Sequence, residues 1–281
     1  MERNELLQAV DTLWRQIPEN CLAEQDALRP ELAGMKLFDA PLVGFGAAED
    51  SLFQDFKKPE IIGPWFRTPE EWLPGAKTVV SFFFPFTEEV RKSNRCRKEE
   101  PSDEWLHGRI EGQACLTAFT DRLQEWLQKN GIDACVPATD PRFKAVHNGN
   151  KFHEYGCVTE RTFGSNWSER HAAYVCGLGT FGLSKGLITE RGMAGRFASV
   201  IIGERLEADV RPYTEVYEYC TLCGACVRRC PASAIDLETG KDHVTCRKWL
   251  LQMSEIHAPR YGCGLCQTGV PCESRRPKKQ K

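Results

Sequence analysis

Eight of the fourteen cysteines of this 281-residue chain fall between Cys220 and Cys272. The first four stand as Cys220-x2-Cys223-x2-Cys226-x3-Cys230-Pro231. No other feature restricts the fold so strongly. Three thiolates spaced two residues apart can wrap one metal–sulfur cube. The fourth cannot reach that cube, because the proline turns the chain away, and it must serve a neighbouring one. Paired C-x2-C motifs also bind zinc, but four thiolates this close together are too crowded for one tetrahedral ion. Soft thiolates suit iron–sulfur centres. A disulfide framework is excluded if the chain stays in the cytoplasm, where thiols are kept reduced.

The run has the spacing of a bacterial two-cluster ferredoxin, so two [4Fe–4S] clusters are expected. Cys246, Cys263, Cys266 and Cys272 complete the set of eight. By ferredoxin logic one cluster takes Cys220, Cys223, Cys226 and Cys272. The other takes Cys230, Cys246, Cys263 and Cys266. The second half departs from the pattern. A long insert, Arg247 to Gly262, precedes Cys263, and Trp249, Leu250 and Met253 within it can share one helical face. Cys266 to Cys272 is an x5 step, and Glu273 stands where a proline is expected.

Hydrophobic residues make up 41% and charged residues 27%, with a net charge of −2, which is ordinary for a globular protein and argues against a nucleic-acid or membrane-surface binder. No run approaches the ~18–20 apolar residues of a membrane helix. The charged N-terminus lacks an apolar segment behind it, so a cytoplasmic protein is expected. The basic end, Arg275 to Lys281, reads as a solvated tail. Residues 205–214 are the expected boundary between a cofactor- and substrate-binding α/β domain, 1–210, and a small two-cluster domain, 211–281. The latter is too small for an ordinary core and draws stability from metal.

In the larger part, periodicity predicts helices over Asn4–Arg15 and Gly112–Lys129, the second closed by Gly131. A short helix capped by Ser168 ends at Gly177. Val79–Phe84, Ile132–Val136 and Phe197–Ile202 read as strands. Two adjacent clusters form a wire for single electrons, and some 210 residues precede it. The plain expectation is that these hold a second redox centre or a reducible substrate.

The most distinctive stretch is Gly177-Leu178-Gly179-Thr180-Phe181-Gly182-Leu183-Ser184-Lys185-Gly186. Its glycines let a backbone approach a flat ligand, or make a tight turn. They match G-x-G-x-x-G spacing but follow a helix, so a dinucleotide fingerprint is not met. Together with Trp72-Leu73-Pro74-Gly75-Ala76-Lys77-Thr78-Val79-Val80, with Ser168-Glu169-Arg170-His171-Ala172-Ala173 and with the cysteine tail, this order resembles epoxyqueuosine reductase and its relatives, from about Trp65 to Cys272. The family is similar to reductive dehalogenases. The resemblance implies an α+β architecture: a nitroreductase-like α/β domain binding cobalamin, followed by a ferredoxin-like domain whose clusters reduce cobalt. It implies an oxidoreductase with a small-molecule substrate or a partner redox protein, fed by a donor such as ferredoxin or flavodoxin. Carried onto this sequence, the cobalamin-facing residues are Gly177, Leu178, Gly179, Thr180, Phe181, Gly182, Ser184 and Lys185, with Met193 and Ser199 nearby.

One departure matters. The family's acidic proton donor corresponds to a position near Phe163, and phenylalanine cannot donate a proton. Tyr155, His153 and Glu160 are the nearest alternative acids. A relative of the reductase, acting on something other than tRNA, is therefore expected. An electron-transfer protein serving a separate corrinoid protein and a flavin-dependent reductase are the other readings. Of the six remaining cysteines most are expected to be buried, with Cys157 and Cys176 closest to the candidate site. His171 reads as a packed or capping side chain.

Overall fold

The computed structural model describes residues 1–147, 153–156 and 163–278. Its helices are α1 (Arg3–Arg15), α2 (Ser51–Asp55), α3 (Pro69–Trp72), α4 (Glu88–Arg95), α5 (Asp103–Lys129), α6 (Glu169–Val175), α7 (Ala225–Arg228) and α8 (His243–Ile256). Its strands are β1 (Leu42–Ala47), β2 (Thr78–Pro85), β3 (Ala134–Cys135), β4 (Ala145–His147), β5 (Phe163–Ser165), β6 (Gly179–Phe181), β7 (Leu187–Thr189), β8 (Gly195–Ile202), β9 (Ile235–Asp236) and β10 (Gly240–Lys241). The central sheet has the order β1-β2-β8-β3, and all its pairings are antiparallel.

The apolar run at Val79–Phe84 becomes β2, a strand buried along its whole length. Side chains alternate across a strand. Val80, Phe82 and Phe84 join Ala198, Val200 and Ile202 of β8 in the core under α1 and α5. Val79 and Ile201 point to the opposite face, against Trp72, Trp167 and the α6 residues Ala172 and Val175. Register places Phe82 opposite Ala198 on the first face, and Phe83 opposite Phe197 on the other. Two covered faces explain why the strand reads as continuous apolar sequence rather than as alternation.

Helix α5 starts at Asp103, nine residues before the expected Gly112. Ser102 caps it, its Oγ accepting from Trp105 N at 3.2 Å. Two interior glycines mask this first third, since glycine weakens helices. Both are there for space. A Cβ on Gly108 would lie 2.6 Å from Phe86, and one on Gly112 would lie 2.8 Å from Phe38. Strand β3 is shorter than the expected Ile132–Val136, spanning two residues at the sheet edge. At α6, Ser168 stands at the N-cap but its hydroxyl turns to His171 Nδ1 at 2.7 Å instead of capping the backbone.

Residues 205–214 cross the sheet as an irregular strap. Asp209 accepts from Phe45 N at 2.9 Å, and Arg211 pairs with Asp50 at 2.5 Å. The cysteine-rich end then folds back onto the body. Met193 N and Ala194 N donate to the carbonyl of Glu273 at 3.1 and 3.0 Å, and Asn94 Nδ2 donates to Cys263 O at 3.2 Å. The basic tail is in part packed: Arg276 lies over the Tyr219 ring at 3.6 Å. None of the described helices is long and apolar enough to cross a membrane.

Candidate iron–sulfur and ligand site

The eight cysteines gather as two quartets. Cys220, Cys223, Cys226 and Cys272 ring a small cavity of about 20 Å³. Cys230, Cys246, Cys263 and Cys266 share the wall of a much larger one, about 470 Å³. Cys230 and Pro231 line the larger cavity and not the smaller one. The expected insert helix is α8, which presents Cys246 together with Trp249 and Leu250 to the larger cavity and buries Met253. Left-handed glycines set the thiol directions: Gly224 (φ 67°) lies between Cys223 and Cys226, and Gly264 (φ 66°) between Cys263 and Cys266.

No group of three or more His, Cys, Asp or Glu among the described residues is gathered for a single metal ion. The thiols stand around voids instead, and both donor sets are all sulfur. Burial pushes the Cys226 thiol up to about 11 and those of Cys263 and Cys272 up to about 12. Buried thiols of this kind ionise when a metal takes up the charge.

The glycine-rich segment meets the first quartet, not the larger cavity. Gly182, Ser184 and Met193 line the small cavity, and Met193 Sδ is 3.3 Å from Cys272 Sγ. Gly179 N donates to the Tyr213 hydroxyl at 3.3 Å, and Thr180 Oγ1 accepts from Tyr219 N at 2.9 Å. Lys185 donates to the Tyr217 hydroxyl at 2.8 Å. A Cβ on Gly179 would sit 2.0 Å from Ile188 O in the β6–β7 hairpin, so this glycine serves a close backbone approach. Gly177 (φ 78°) closes α6, while Leu178 and Phe181 are buried in the core beside Tyr213 and Tyr219. Ser199 is buried on β8, accepting from Trp167 Nε1 at 3.0 Å. None of these ten residues lines the larger cavity.

That cavity is bounded by the second quartet and α8 on one side. The rest of the lining comes from α5 (Trp105, Arg109, Gln113), the start of α6 (Trp167 to Arg170) and the start of β8 (Gly195 to Phe197), with Trp105 against Gly264 and Arg109 bonded to Tyr261. Its lining carries five cations, Arg109, Arg170, Arg196, Lys241 and Arg247, and one carboxylate, Glu169. Both Glu169 oxygens are buried beside Ser199 and Trp167, with no hydrogen bond of good geometry. Burial raises its pKa to about 7, with Ser199 and Trp167 acting in the other direction. Burial, with the neighbouring Arg109 and Arg170, lowers Arg196 to about 9. Arg170 is exposed to the cavity beside Arg109, and His243 is lowered to about 4, chiefly by burial. None of the side chains that charge the cavity is among the expected site residues, although Glu169 and Arg170 lie in the Ser168–Ala173 segment. Arg109 and Arg196 lie just before the expected Gly112–Lys129 helix and Phe197–Ile202 strand, where α5 and β8 begin earlier than their hydrophobic pattern shows.

Of the proposed acids, Tyr155 is exposed, in a 3-10 turn beginning at His153, and its ring is 6.3 Å from Trp65. Glu160 and Cys157 lie outside the described residues. Phe163 borders the cavity, stacked on His243 at 4.7 Å. Cys176 is buried and donates to Val79 O at 3.3 Å, a packing role. Cys115 and Cys135 are buried, but Cys21 and Cys96 are exposed. His171 packs between Phe56 and Phe181, and burial lowers it to about 4.

Residues 213–236 match the 4Fe-4S binding domain family. Against curated proteins the sequence finds no match. Among solved structures the chain is similar to an epoxyqueuosine reductase crystallised with an epoxyqueuosine-modified tRNA-Tyr stem loop (18% identity, TM-score 0.53, 96% of this chain and 65% of that one). It is also similar to epoxyqueuosine reductase from Bacillus subtilis (17%, 0.52, 98% and 66%). A reductive dehalogenase, whose structure suggests a mechanism for B12-dependent dehalogenation, shares 13% identity at TM-score 0.54 over 99% of this chain and 38% of that one. The chain therefore spans about two thirds of the length of these reductases, at 65% and 66%, and 38% of the dehalogenase. At these identities the likeness is one of fold: a mixed α and β body of the kind found in epoxyqueuosine reductase and reductive dehalogenase, with a 4Fe-4S binding domain near its C-terminal end.

Proposed function

We propose that this protein is an iron–sulfur reductase in which two [4Fe–4S] clusters, held by the two cysteine quartets, supply electrons to a ligand in the larger cavity. The observation that carries this reading is the shared wall. Cys230, Cys246, Cys263 and Cys266 border the same 470 Å³ space as Glu169, Arg170 and Arg196. A volume of that size lies within the ~300–1,000 Å³ of small-molecule and cofactor sites. The body is taken as nitroreductase-like, with residues 1–210 and 211–281 as its two parts.

The clusters supply electrons one at a time, and a corrinoid, the cofactor class of the B12-dependent fold neighbour, supplies a low-potential metal where one is bound. The chain's own residues do the rest. Phe86, Trp105, Trp167 and Phe197 give the cavity flat apolar walls. Gly195, where a Cβ would lie 2.3 Å from Phe84 O, lets the start of β8 pass close to β2. Reduction of an organic substrate also consumes protons. Glu169, held near pH 7 by burial, is the donor we assign in place of the missing acid at Phe163. The substrate is a small molecule, and the electrons enter from a ferredoxin- or flavodoxin-like donor.

Anaerobic purification with hydroxocobalamin tests this reading. The expected result is about eight irons per chain with a co-purifying corrinoid spectrum. Bound flavin would point to a flavin-dependent reductase. Iron with neither would point to an electron-transfer protein that serves a separate partner.

A further inference from the structure

We propose that the protein sets its two clusters at unequal potentials. The one held by Cys230, Cys246, Cys263 and Cys266 is the more easily reduced, so that an electron at rest sits beside the larger cavity. The inference rests on the two-cluster reductase reading and adds to it the direction of electron flow.

The difference between the two linings carries the argument. No charged side chain lines the small cavity of the first quartet. Leu183, Ile188, Met193 and Val270 surround it, with the hydroxyls of Ser184 and Thr221. The larger cavity, which the second quartet borders, has five cations and one carboxylate on its lining. Two of these cations are tied to the segments that carry the thiols. Arg247 follows Cys246 on α8, and its Nε is buried without a hydrogen bond. Arg109 donates to the Tyr261 hydroxyl at 2.9 Å, and a Cβ on Gly262, the neighbour of Cys263, would lie 3.5 Å from its Cγ. Other charges near the first quartet do not reverse the contrast. Arg228 donates to the Cys223 carbonyl at 3.3 Å and Arg276 lies 3.6 Å from the Tyr219 ring, but both are exposed, where water weakens their field. Glu273 beside Cys272 is buried, and Arg95 neutralises it.

A [4Fe–4S] centre with four thiolates is anionic, and reduction adds one more negative charge. Fixed cations close by favour the reduced form, while an apolar, uncharged wall disfavours it. Each transfer moves one electron and no proton. A reduced donor of the ferredoxin or flavodoxin class is oxidised, the first cluster is reduced, and the electron then passes to the second. Thiol exposure fits that order, since of the eight cysteines Cys223 of the first quartet alone is exposed. Water at that one thiol raises the first potential, but the other three line the uncharged cavity.

Cluster-loaded protein, with no corrinoid added, is titrated anaerobically with dithionite and redox mediators and followed by electron resonance. Two reduction steps are expected, at least about tenfold apart in equilibrium constant, which is about 59 mV for one electron. The signal that appears first on reduction should be the one that Cys272→Ser retains. Arg247→Gln and Arg109→Gln should each make the second cluster about three- to tenfold harder to reduce and leave the other step in place. Arg247→Lys should keep most of the difference. A side chain that only packs would alter iron content or stability without moving one step alone. Coincident steps in the unmutated protein overturn the proposal, and so does the reverse order, whether or not the variants hold their iron. Variants with full iron that shift neither step, or both alike, overturn it too. An iron count showing a single cluster would refute the two-cluster reading and this proposal with it, whereas two clusters at one potential refute this proposal alone.

Discussion

Arg95 grips Glu273 at two points, Nε to Oε2 at 3.1 Å and Nη2 to Oε1 at 2.5 Å. The carboxylate is buried and also receives Gly269 N at 2.6 Å, with Arg91 at 3.6 Å. Its neighbour is Cys272, the last thiol of the first quartet. Glu273 thus fills the place where a ferredoxin has proline, and it fixes the tail by charge and hydrogen bonds to α4 instead of by a ring.

Removing that carboxylate leaves Arg95 and Arg91 without their buried partner. Glu273→Ala is expected to cost about 3–5 kcal/mol, the cost of breaking a buried pair, discounted toward the lower figure because Arg95 is itself partly exposed. Iron at the first quartet should be lost first. Thermal unfolding with iron quantitation checks this, and unchanged stability with full iron content would refute the anchoring role.

Gly264 is set in the left-handed region at φ 66°, where a Cβ would fall 1.9 Å from the Trp105 ring. Gly264→Ala must therefore move either α5 or the Cys263–Cys266 turn. The expected outcome is roughly 2–4 kcal/mol of destabilisation, from backbone strain and overpacking together. The visible spectrum should change for one of two clusters. A variant with normal stability and spectrum would show that this turn does not depend on the glycine.

How much of this was legible beforehand depends on what each residue interacts with. Cys220 to Pro231 could be read because iron–sulfur ligation is a local pattern, and β2 because both of its faces are apolar. The early turns of α5 were hidden by Gly108 and Gly112, whose reason is Phe86 and Phe38, residues distant in sequence. Glu169 stood in the Ser168–Ala173 segment that carries the resemblance, but neither its role nor that of Arg196 could be read there. Their significance comes from facing a cavity that exists only after α5, α6, β8 and α8 converge. The Gly177–Lys185 loop was conspicuous in sequence, yet its glycines serve a hairpin and the first quartet.

Glu169 makes stability depend on pH in a predictable direction. Its folded pKa, about 7, lies above the unfolded carboxylate value of 4.5. The folded state therefore holds the proton more tightly. Its contribution is fully present below pH 4.5 and is lost as pH rises toward 7. The loss should amount to about 1–3 kcal/mol, less than full linkage because the residue borders an open cavity. Glu169→Gln keeps the shape and removes the titration. Denaturant unfolding of both proteins between pH 5 and 8 should show a downward slope that the variant lacks. Parallel curves would exclude the raised pKa, and with it Glu169 as proton donor.

The crossed quartets make the sharpest prediction. Cys272 is far from Cys266 in role though near it in sequence: it closes the cavity lined by Cys220, Cys223 and Cys226 and touches Met193, while Cys266 faces Lys241. Cys272→Ser should release the first cluster and spare the second. Cys266→Ser should do the reverse and perturb whatever occupies the larger cavity. Each variant is expected to keep about four irons, with electron-resonance signals of the remaining cluster that differ between the two proteins. If Cys272→Ser lost the second cluster and kept the first, the assignment would fail. If both variants kept the same signal, the two quartets would not be separate sites.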